Sequence, residues 1–185
     1  MAVYDDELLA AARVLIHRPK GRRGRLPSAR VRRSISTTYY ALFHFLLDEV
    51  GKRVVGVENA MRFRRRALAR LISHTGARSA LNKLRGSHAD ESIADFLRSG
   101  TASGPLAVPQ FVRDMAQAFI DAHTKREDAD YNLNKALSET DAILLHDRVK
   151  LAIRTWRGAR TDSDRDLKNA VCLLILFKGQ LRSTS

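Results

Sequence analysis

The stretch SARVRRSISTTYYALFHFLLDEV, residues 28–50, decides the fold of this chain because it contains its longest apolar helical pattern. Its apolar residues recur at steps of three and four, which places them on one face of a helix. They are Ile35, Tyr39, Leu42, Phe43, Leu46 and Val50. Ser28 is the predicted N-cap. We expect this helix to lie at the centre of a helical bundle and to be followed by a short turn between Gly51 and Gly56.

A second stripe of the same helix combines polar and aromatic residues, namely Arg33, Thr37, Tyr40, His44 and Asp48. Such side chains suit a crevice or an interface better than open solvent. A single histidine on a helix is more often a hydrogen-bonded core residue than a functional one, so both interpretations of His44 stay open.

Charge is the unusual feature of the composition. The chain of 185 residues has 33 Lys and Arg against 20 Asp and Glu, a formal net charge of +13. Most of the cations are arginine, whose planar fork binds phosphate in a bidentate way. The excess favours nucleic acid or another polyanion as a partner. Solubility, or an acidic partner protein, is the alternative explanation.

The cysteine content and the apolar runs indicate the compartment. Cys172 is the one cysteine, so an intrachain disulfide is excluded, and the surrounding VCLLILF predicts a buried thiol. This run is too short to cross a bilayer, which needs roughly 20 apolar residues. The first 17 residues are amphipathic with early acids, unlike a cationic signal peptide. We predict a cytoplasmic protein with no membrane contact.

Residues 18–33 form a basic segment with eight Lys or Arg and no acid. Its glycines and Pro27 predict a loop that leads into the helix at Ser28. Such a loop can collect phosphates through its arginines and the free N–H groups of the helix. A mobile solvated arm is the alternative. The arginines predicted to bind nucleic acid here are Arg22, Arg23, Arg25, Arg30 and Arg33.

Residues 58–74 predict a helix with a second basic feature. Arg62, Arg66, Arg70 and His74 are spaced by four, which places them in a ridge on one helix face. We predict that the three arginines contact phosphates, although a charged face is often simply solvated. The residues predicted to face the core are Met61, Leu68, Leu71 and Ile72.

The rest of the chain also predicts helices. A first helix covers residues 5–17, and a short one covers residues 77–86 with Leu81 and Leu84 as its apolar residues. An irregular excursion covers residues 86–109, in which ESIADFLR forms a turn or two. Helices follow at 109–126 and 139–157, separated by a structured corner, with Ser138 and Asp141 as a capping pair. The predicted core face of the second of these helices is Ala142, Leu145, Val149, Ala152 or Ile153, and Trp156. A C-terminal helix occupies residues 161–180; it starts at Thr161 or Ser163, and its predicted core residues are Val171, Leu174, Ile175 and Phe177. No alternating strand pattern is found, so the prediction is an all-α, single-domain helical bundle over residues 1–185.

Arg126 is an unusual residue in this pattern because it ends an apolar stripe. Phe111, Met115, Phe119 and Ala122 precede it along one line of the helix. A guanidinium there needs a partner; Asp130, one turn later, is the expected one, and Glu127 and Asp128 are further candidates. The pair could be a purely structural ion pair or part of a functional site.

Common catalytic and metal-binding signatures are missing from the sequence. GxSxG, HExxH and the P-loop are absent, and the six histidines occur without the short spacings of metal ligands. We predict no metal and no cofactor. Two places remain as candidate sites: the helix with Arg33, Tyr39, Tyr40 and His44, and residues 125–131.

Two motifs resemble the HEPN superfamily, small helical bundles often encoded beside minimal nucleotidyltransferases. Residues 39–44 read YYALFH, which is similar to the signature helix of one subgroup, and residues 126–131 read REDADY, similar to its later R-x-x-ADY motif. The resemblance covers about residues 5–158. The basic loop and the last helix look like additions.

The resemblance implies a dimeric protein of toxin–antitoxin or defence type. Many HEPN proteins are metal-independent ribonucleases that use Arg-x4-His from two subunits. Arg126 matches the arginine, but the histidine position holds Tyr131, and a tyrosine with a pKa near 10 is a poor base at neutral pH. His123, one turn before Arg126, is the candidate replacement. Tyr131 is also a candidate for modification by a nucleotidyltransferase partner.

We therefore carry two functional hypotheses. The first is a HEPN-like homodimer that binds RNA or a nucleotide, with degenerate ribonuclease activity. The second is a non-catalytic interaction module that binds an acidic protein, such as a nucleotidyltransferase. A sequence-specific DNA-binding module is a weaker third option because no helix-turn-helix pattern is clear.

Overall fold

The computed structural model describes residues 4–17, 24–98 and 104–180, and the protein is all-α. Apart from an isolated antiparallel bridge between His88 and Ala107, these residues contain no β-structure. The helices are α1 (Tyr4–Ile16), α2 (Ser28–Val55), α3 (Arg62–Ala69), α4 (His74–Asn82), α5 (Glu91–Leu97), α6 (Gln110–Tyr131), α7 (Glu139–Gly158) and α8 (Asp162–Leu176), with a 3₁₀ turn at Asn59–Met61 before α3.

The chain packs into two compact units. The first draws on residues 1–45 and 118–154, and the second on residues 46–117 and 155–185. Helices α2, α6 and α7 each contribute one part to each unit. The single-domain organisation stays a prediction.

The first unit packs α1, the start of α2, the end of α6 and most of α7 around apolar side chains that are almost fully buried. Two buried polar contacts help to fasten α1: Ser34 Oγ donates to the Ala12 carbonyl at 2.9 Å, and His146 Nε2 lies 3.1 Å from the Leu9 carbonyl. The predicted core residues of the central helix and of α7 are confirmed as buried. In this unit they include Ile35, Tyr39, Leu42, Phe43, Ala142, Leu145 and Val149.

Helix α2 differs from its predicted bounds at both ends. The Pro27 carbonyl accepts from the N–H groups of Arg30 and Val31 at 2.9 and 3.3 Å, so Ser28 lies inside the first turn and is not the N-cap. Residues 28–33 of the predicted basic loop are therefore helical. At the other end α2 continues through Gly51 and stops at Gly56, whose φ of +110° suits glycine. The prediction that Gly51 begins a turn is wrong.

The predicted helix over residues 58–74 is broken. Helix α3 ends at Ala69, and Ser73, in an extended conformation, caps α4 by accepting from the Gly76 N–H at 3.0 Å. A run of like charges spaced by four weakens a helix, whereas a serine N-cap favours a new one. His74 therefore begins α4 and does not continue the ridge. Ile72 is buried as predicted, but Leu71 is 62% exposed.

The irregular excursion over residues 86–109 contains α5 and is closed at its base. The Ala89 N–H donates to the Leu106 carbonyl and the Val108 N–H to the Ser87 carbonyl, both at 2.9 Å. The predicted short helical turns in ESIADFLR are confirmed as α5, and Leu81 and Leu84 before the excursion are buried as predicted. Residues 99–103 of this excursion lie outside the described residues.

The capping pair at the start of α7 is confirmed. The Ser138 N–H donates to Asp141 Oδ2 at 3.0 Å, and the Asp141 N–H donates to Ser138 Oγ at 3.0 Å. The preceding helix was predicted to stop at residue 126, with the next residues in a corner. Instead α6 runs to Tyr131, so Arg126, Asp130 and Tyr131 belong to one helix.

The second unit contains the last helix and a buried lysine. Thr161 begins α8 with a full capping box to Asp164, which confirms one of the two predicted starts. Lys168 Nζ donates to the Trp156 carbonyl at 2.6 Å and to the Ala159 carbonyl, closing the end of α7. Burial raises the pKa of the Cys172 thiol to about 12, in agreement with the predicted buried thiol. Phe177 was predicted to face the core but is 45% exposed.

Candidate functional site

The candidate site lies where the first half of α2 crosses the end of α6. Arg32, Ser36 and Tyr40 follow each other at four-residue steps and therefore share one face of α2. Ser36 Oγ donates to Asp130 Oδ1, and Tyr40 accepts from Arg126. As the α2 residue number rises, that of its α6 partner falls, so the two helices are antiparallel here.

Arg32 fastens the C-terminal end of α6 to α2. The last carbonyls of a helix have no partner within the helix, and a cation there also interacts favourably with the negative end of the helix dipole. The Arg32 guanidinium donates to five backbone carbonyls at distances from 2.6 to 3.2 Å. They belong to Asp128, Ala129, Asn132, Leu133 and Lys135.

Arg126 is held from three sides. Its Nη2 donates to the hydroxyls of Tyr40 and Tyr131, each at 3.1 Å, and its Nε lies 2.7 Å from Asp130 Oδ2. The predicted pairing of Arg126 with Asp130 is confirmed. Its Cζ also lies 5.7 and 5.0 Å from the Tyr40 and Tyr131 ring centroids, within cation–π range. Partial burial lowers the pKa of Arg126, but the hydrogen bonds to the two tyrosines and the nearby charge of Asp130 together raise it above its usual value.

The Arg126 cluster reaches the surface through Tyr131. We use this name for Arg126, Tyr40, Asp130 and Tyr131. The Arg126 side chain is 15% exposed, whereas Tyr131 is 72% exposed. A ring that is open to solvent beside an oriented guanidinium offers a stacking surface next to a fixed positive charge.

His123, the candidate replacement for the catalytic histidine, lies in the core. It is 3% exposed, and its ring packs edge-on against Tyr39 at 5.6 Å between centroids. Its Nδ1 lies 3.4 Å from Glu127 Oε2. Burial raises the pKa of Tyr39 far above its usual value. In this conformation His123 does not reach the surface where Tyr131 lies.

His44 takes an intermediate position on α2. It is half-buried, and the ring of Tyr4 meets it edge-on at a centroid distance of 5.0 Å. Burial lowers the pKa of His44, which favours the neutral imidazole. This histidine therefore joins α1 to α2 and lies on α2 one turn beyond Tyr40.

The arginines of the predicted basic loop have different environments. Arg22 and Arg23 lie outside the described residues. Arg25 is exposed and lines an open cavity of about 690 Å³. Arg30 Nη2 donates to the Val14 carbonyl at 3.1 Å, so it closes the end of α1. Arg33 is exposed.

The three arginines predicted to form the ridge are all exposed, but they occupy different positions in α3. Arg62 and Arg66 lie one turn apart on α3, and both are exposed. Arg70 is exposed as well, but it occupies the C-cap of α3, where the helix ends. The ridge therefore extends over one turn of helix and its cap.

Sequence reasoning missed Arg32 and Ser36. The stripe it selected contains Arg33, Thr37 and Tyr40. Of these three, Tyr40 contacts Arg126, whereas the Thr37 hydroxyl donates to the Arg33 carbonyl of its own helix. The available signal was the four-residue spacing that connects Arg32 and Ser36 to Tyr40. Both residue types pass as ordinary polar helix positions unless their partner helix is known.

Comparison with known proteins gives no match: no family model, no curated protein and no solved structure resembles this chain significantly. Within the described residues, no helix has the length and apolar character that a transmembrane span requires. The same residues bring together no group of three His, Cys, Asp or Glu side chains suited to a metal ion.

Proposed function

We propose that the protein is a HEPN-like homodimer of toxin–antitoxin or defence type that binds RNA or a nucleotide through the Arg126 cluster. The observation that carries this proposal is the orientation of the Arg126 guanidinium by two tyrosine hydroxyls and a carboxylate beside the exposed ring of Tyr131. A phosphate contacts the guanidinium, and a base stacks on Tyr131.

Arg33 adds a second positive charge on the side of α2 that carries Tyr40. It lies seven residues before Tyr40, which is about two helical turns and roughly 10 Å along the axis. Arg33 is exposed. Two cations at this separation suit consecutive phosphates of a flexible strand better than a single small anion, which favours RNA over a free nucleotide.

Binding is a better proposal than efficient cleavage. A ribonuclease of this kind needs a group that moves a proton at the 2′-hydroxyl or the leaving oxygen. Tyr131 replaces the histidine, and its hydroxyl already accepts a hydrogen bond from Arg126. His123 is buried. Any ribonuclease activity is therefore degenerate, and the nucleotidyltransferase partner that the HEPN resemblance implies belongs to the same proposal.

The test is RNA binding by fluorescence anisotropy in EDTA, with cleavage followed in the same samples. We expect Arg126→Gln to weaken binding about tenfold or more, since it removes a charged contact worth roughly 1.5–3 kcal/mol. Arg154→Gln is the matched control because Arg154 is an exposed arginine on α7. It should change the affinity less than twofold.

Tyr131 is tested by two substitutions. Tyr131→Phe keeps the ring and should retain most of the affinity, whereas Tyr131→Ala should lose about as much as a stacked base contributes, roughly 1–3 kcal/mol. Equal affinity of Arg126→Gln and wild type would contradict the proposal. So would RNA binding no tighter than that of a control protein of the same net charge; purification with one acidic protein would then favour the interaction-module hypothesis.

A further inference from the structure

Helix α3 carries an exposed aromatic ring among arginines. Phe63 is 81% exposed, more than any other large hydrophobic residue of the described chain. Arg62, Arg64, Arg66 and Arg70 around it are exposed as well. We call these five residues the α3 surface.

The contacts of Arg65 determine which side of α3 faces solvent. Its Nη1 donates to the carbonyls of Gly56 at 2.7 Å and Glu58 at 3.0 Å, so the side chain points inward and closes the end of α2. Residues two apart on a helix point to nearly opposite sides. Phe63 therefore points away from the protein, and its exposure follows from how α3 is anchored.

The arginines of the α3 surface are not neutralised by the protein. Over residues 4–17, 24–98 and 104–180, none of the four forms an ion pair, and Arg64 contacts only the sulfur of Met61, at 3.7 Å. Four unpaired charges and one exposed ring carry a cost in isolation, through repulsion and through hydration of an apolar group. Binding of a polyanion with flat apolar faces would relieve both the charge repulsion and the hydration of the exposed ring.

We propose that the α3 surface is a second binding site, specific for single-stranded RNA. An unpaired base stacks on Phe63, and the neighbouring phosphates contact Arg62 and Arg66, whose Cβ atoms lie about 5–6 Å apart. Duplexes keep their bases stacked on one another, so Phe63 has nothing to contact there. The choice of RNA rests on the proposed function, whereas the preference for an unpaired strand rests on Phe63.

An anionic membrane is the competing occupant, and the α3 surface suits it less well. Helices that lie in a membrane interface bury a continuous apolar face. On α3 the other large apolar side chain, Leu68, is half-buried in the protein. One ring between four arginines fits a base and its phosphates better than a lipid surface.

The experiment compares one labelled RNA sequence as a single strand and as a duplex. Phe63→Ala should weaken single-strand binding about 5- to 100-fold and change duplex binding less than twofold. Phe63→Trp should retain the affinity. Leu144→Ala is the matched control because Leu144 is 64% exposed on α7. The double variant Arg62→Gln, Arg66→Gln should lower the salt slope by about 1.4.

The outcomes separate this site from the Arg126 cluster. Loss of single-strand affinity in Phe63→Ala with none in Arg126→Gln would support the α3 surface and contradict the proposed function; the reverse result would overturn the α3 surface alone. Unchanged affinity in Phe63→Ala, or equal loss for strand and duplex, would also overturn it. So would binding to phosphatidylglycerol vesicles that Phe63→Ala abolishes while RNA binding is unaffected.

Discussion

Arg32 and Arg33 are neighbours in the chain, but they contribute differently to the protein. Arg32 donates to five carbonyls at the end of α6 and in the segment that follows it, whereas Arg33 is exposed. At the residue scale the side-chain direction on α2, and not the residue type, decides which arginine stabilises the fold and which is free for a ligand.

Substitution of these neighbours tests that distinction. Arg32→Ala removes the guanidinium donor from the carbonyls of Ala129, Leu133 and Lys135 and should lower the free energy of unfolding by about 2–3 kcal/mol. Arg33→Ala removes the same charge and should change it by less than about 0.5 kcal/mol. Urea unfolding followed by circular dichroism measures both. Equal effects of the two substitutions would show that Arg32 does not stabilise α6.

The Arg126–Asp130 pair illustrates what residue-level reasoning reaches. An arginine at the end of an apolar stripe needs a nearby acid, and the spacing of four identified Asp130 without a structure. The contacts of Tyr40 and Ser36 to the same pair come from residues 86 and 94 positions away in the chain. Such contacts depend on how α2 meets α6, which no local pattern encodes.

At the element scale, the start of α7 should make stability depend on pH. The Lys125 ammonium, Ser138 and its N–H hold the pKa of Asp141 at about 2. Because the pKa in the folded protein lies below the unfolded value near 3.9, this stabilisation is complete above that value and is lost as the pH falls towards 2. In Asp141→Asn the free energy of unfolding should therefore fall less between about pH 4.5 and 2.

The control for this measurement is Glu7→Gln, which removes an exposed carboxylate from α1. It should leave the acid limb of the stability curve close to that of the wild type. Identical acid limbs in Asp141→Asn and the wild type would contradict the assigned role of Asp141.

The break between α3 and α4 gives a second element-scale prediction. Ser73→Ala removes the oxygen that accepts from the Gly76 N–H, so it should lower the free energy of unfolding by about 1 kcal/mol. Ser79→Ala, at an exposed position inside α4, should be neutral or slightly stabilising because alanine favours helices. Thermal unfolding distinguishes the two, and equal melting temperatures would contradict the capping role.

Helix boundaries show where sequence patterns succeed and fail. Ser138–Asp141 and Thr161–Asp164 are caps whose two members are three residues apart, so the sequence alone predicts helix starts there. Gly51 was misread because one glycine costs a helix only about 1 kcal/mol, which the packing of the surrounding residues outweighs; a Cβ there would meet the neighbouring Arg65 side chain at an ordinary contact distance of 3.4 Å. The local pattern contains no information about that neighbour.

At the scale of the whole molecule, the net charge of +13 should dominate the salt dependence of the proposed RNA binding. Each phosphate contact releases condensed counterions, so the logarithm of the binding constant should fall linearly with the logarithm of salt concentration, by about 0.7 per contact for a single strand. Anisotropy titrations from about 50 to 200 mM salt measure this slope. A slope near zero would exclude binding through phosphates.

The hydrogen bonds from Arg32 to the end of α6 have a kinetic consequence for the Arg126 cluster. Arg32 and Tyr40 belong to the same face of α2, so the residue that fixes α6 also fixes the distance between Tyr40 and Arg126. A site built before its ligand arrives needs no rearrangement step. For the proposed RNA binding, the association rate observed in stopped-flow mixing should rise linearly with RNA concentration in the wild type, whereas in Arg32→Ala it should reach a plateau set by the rate at which the helix end re-forms.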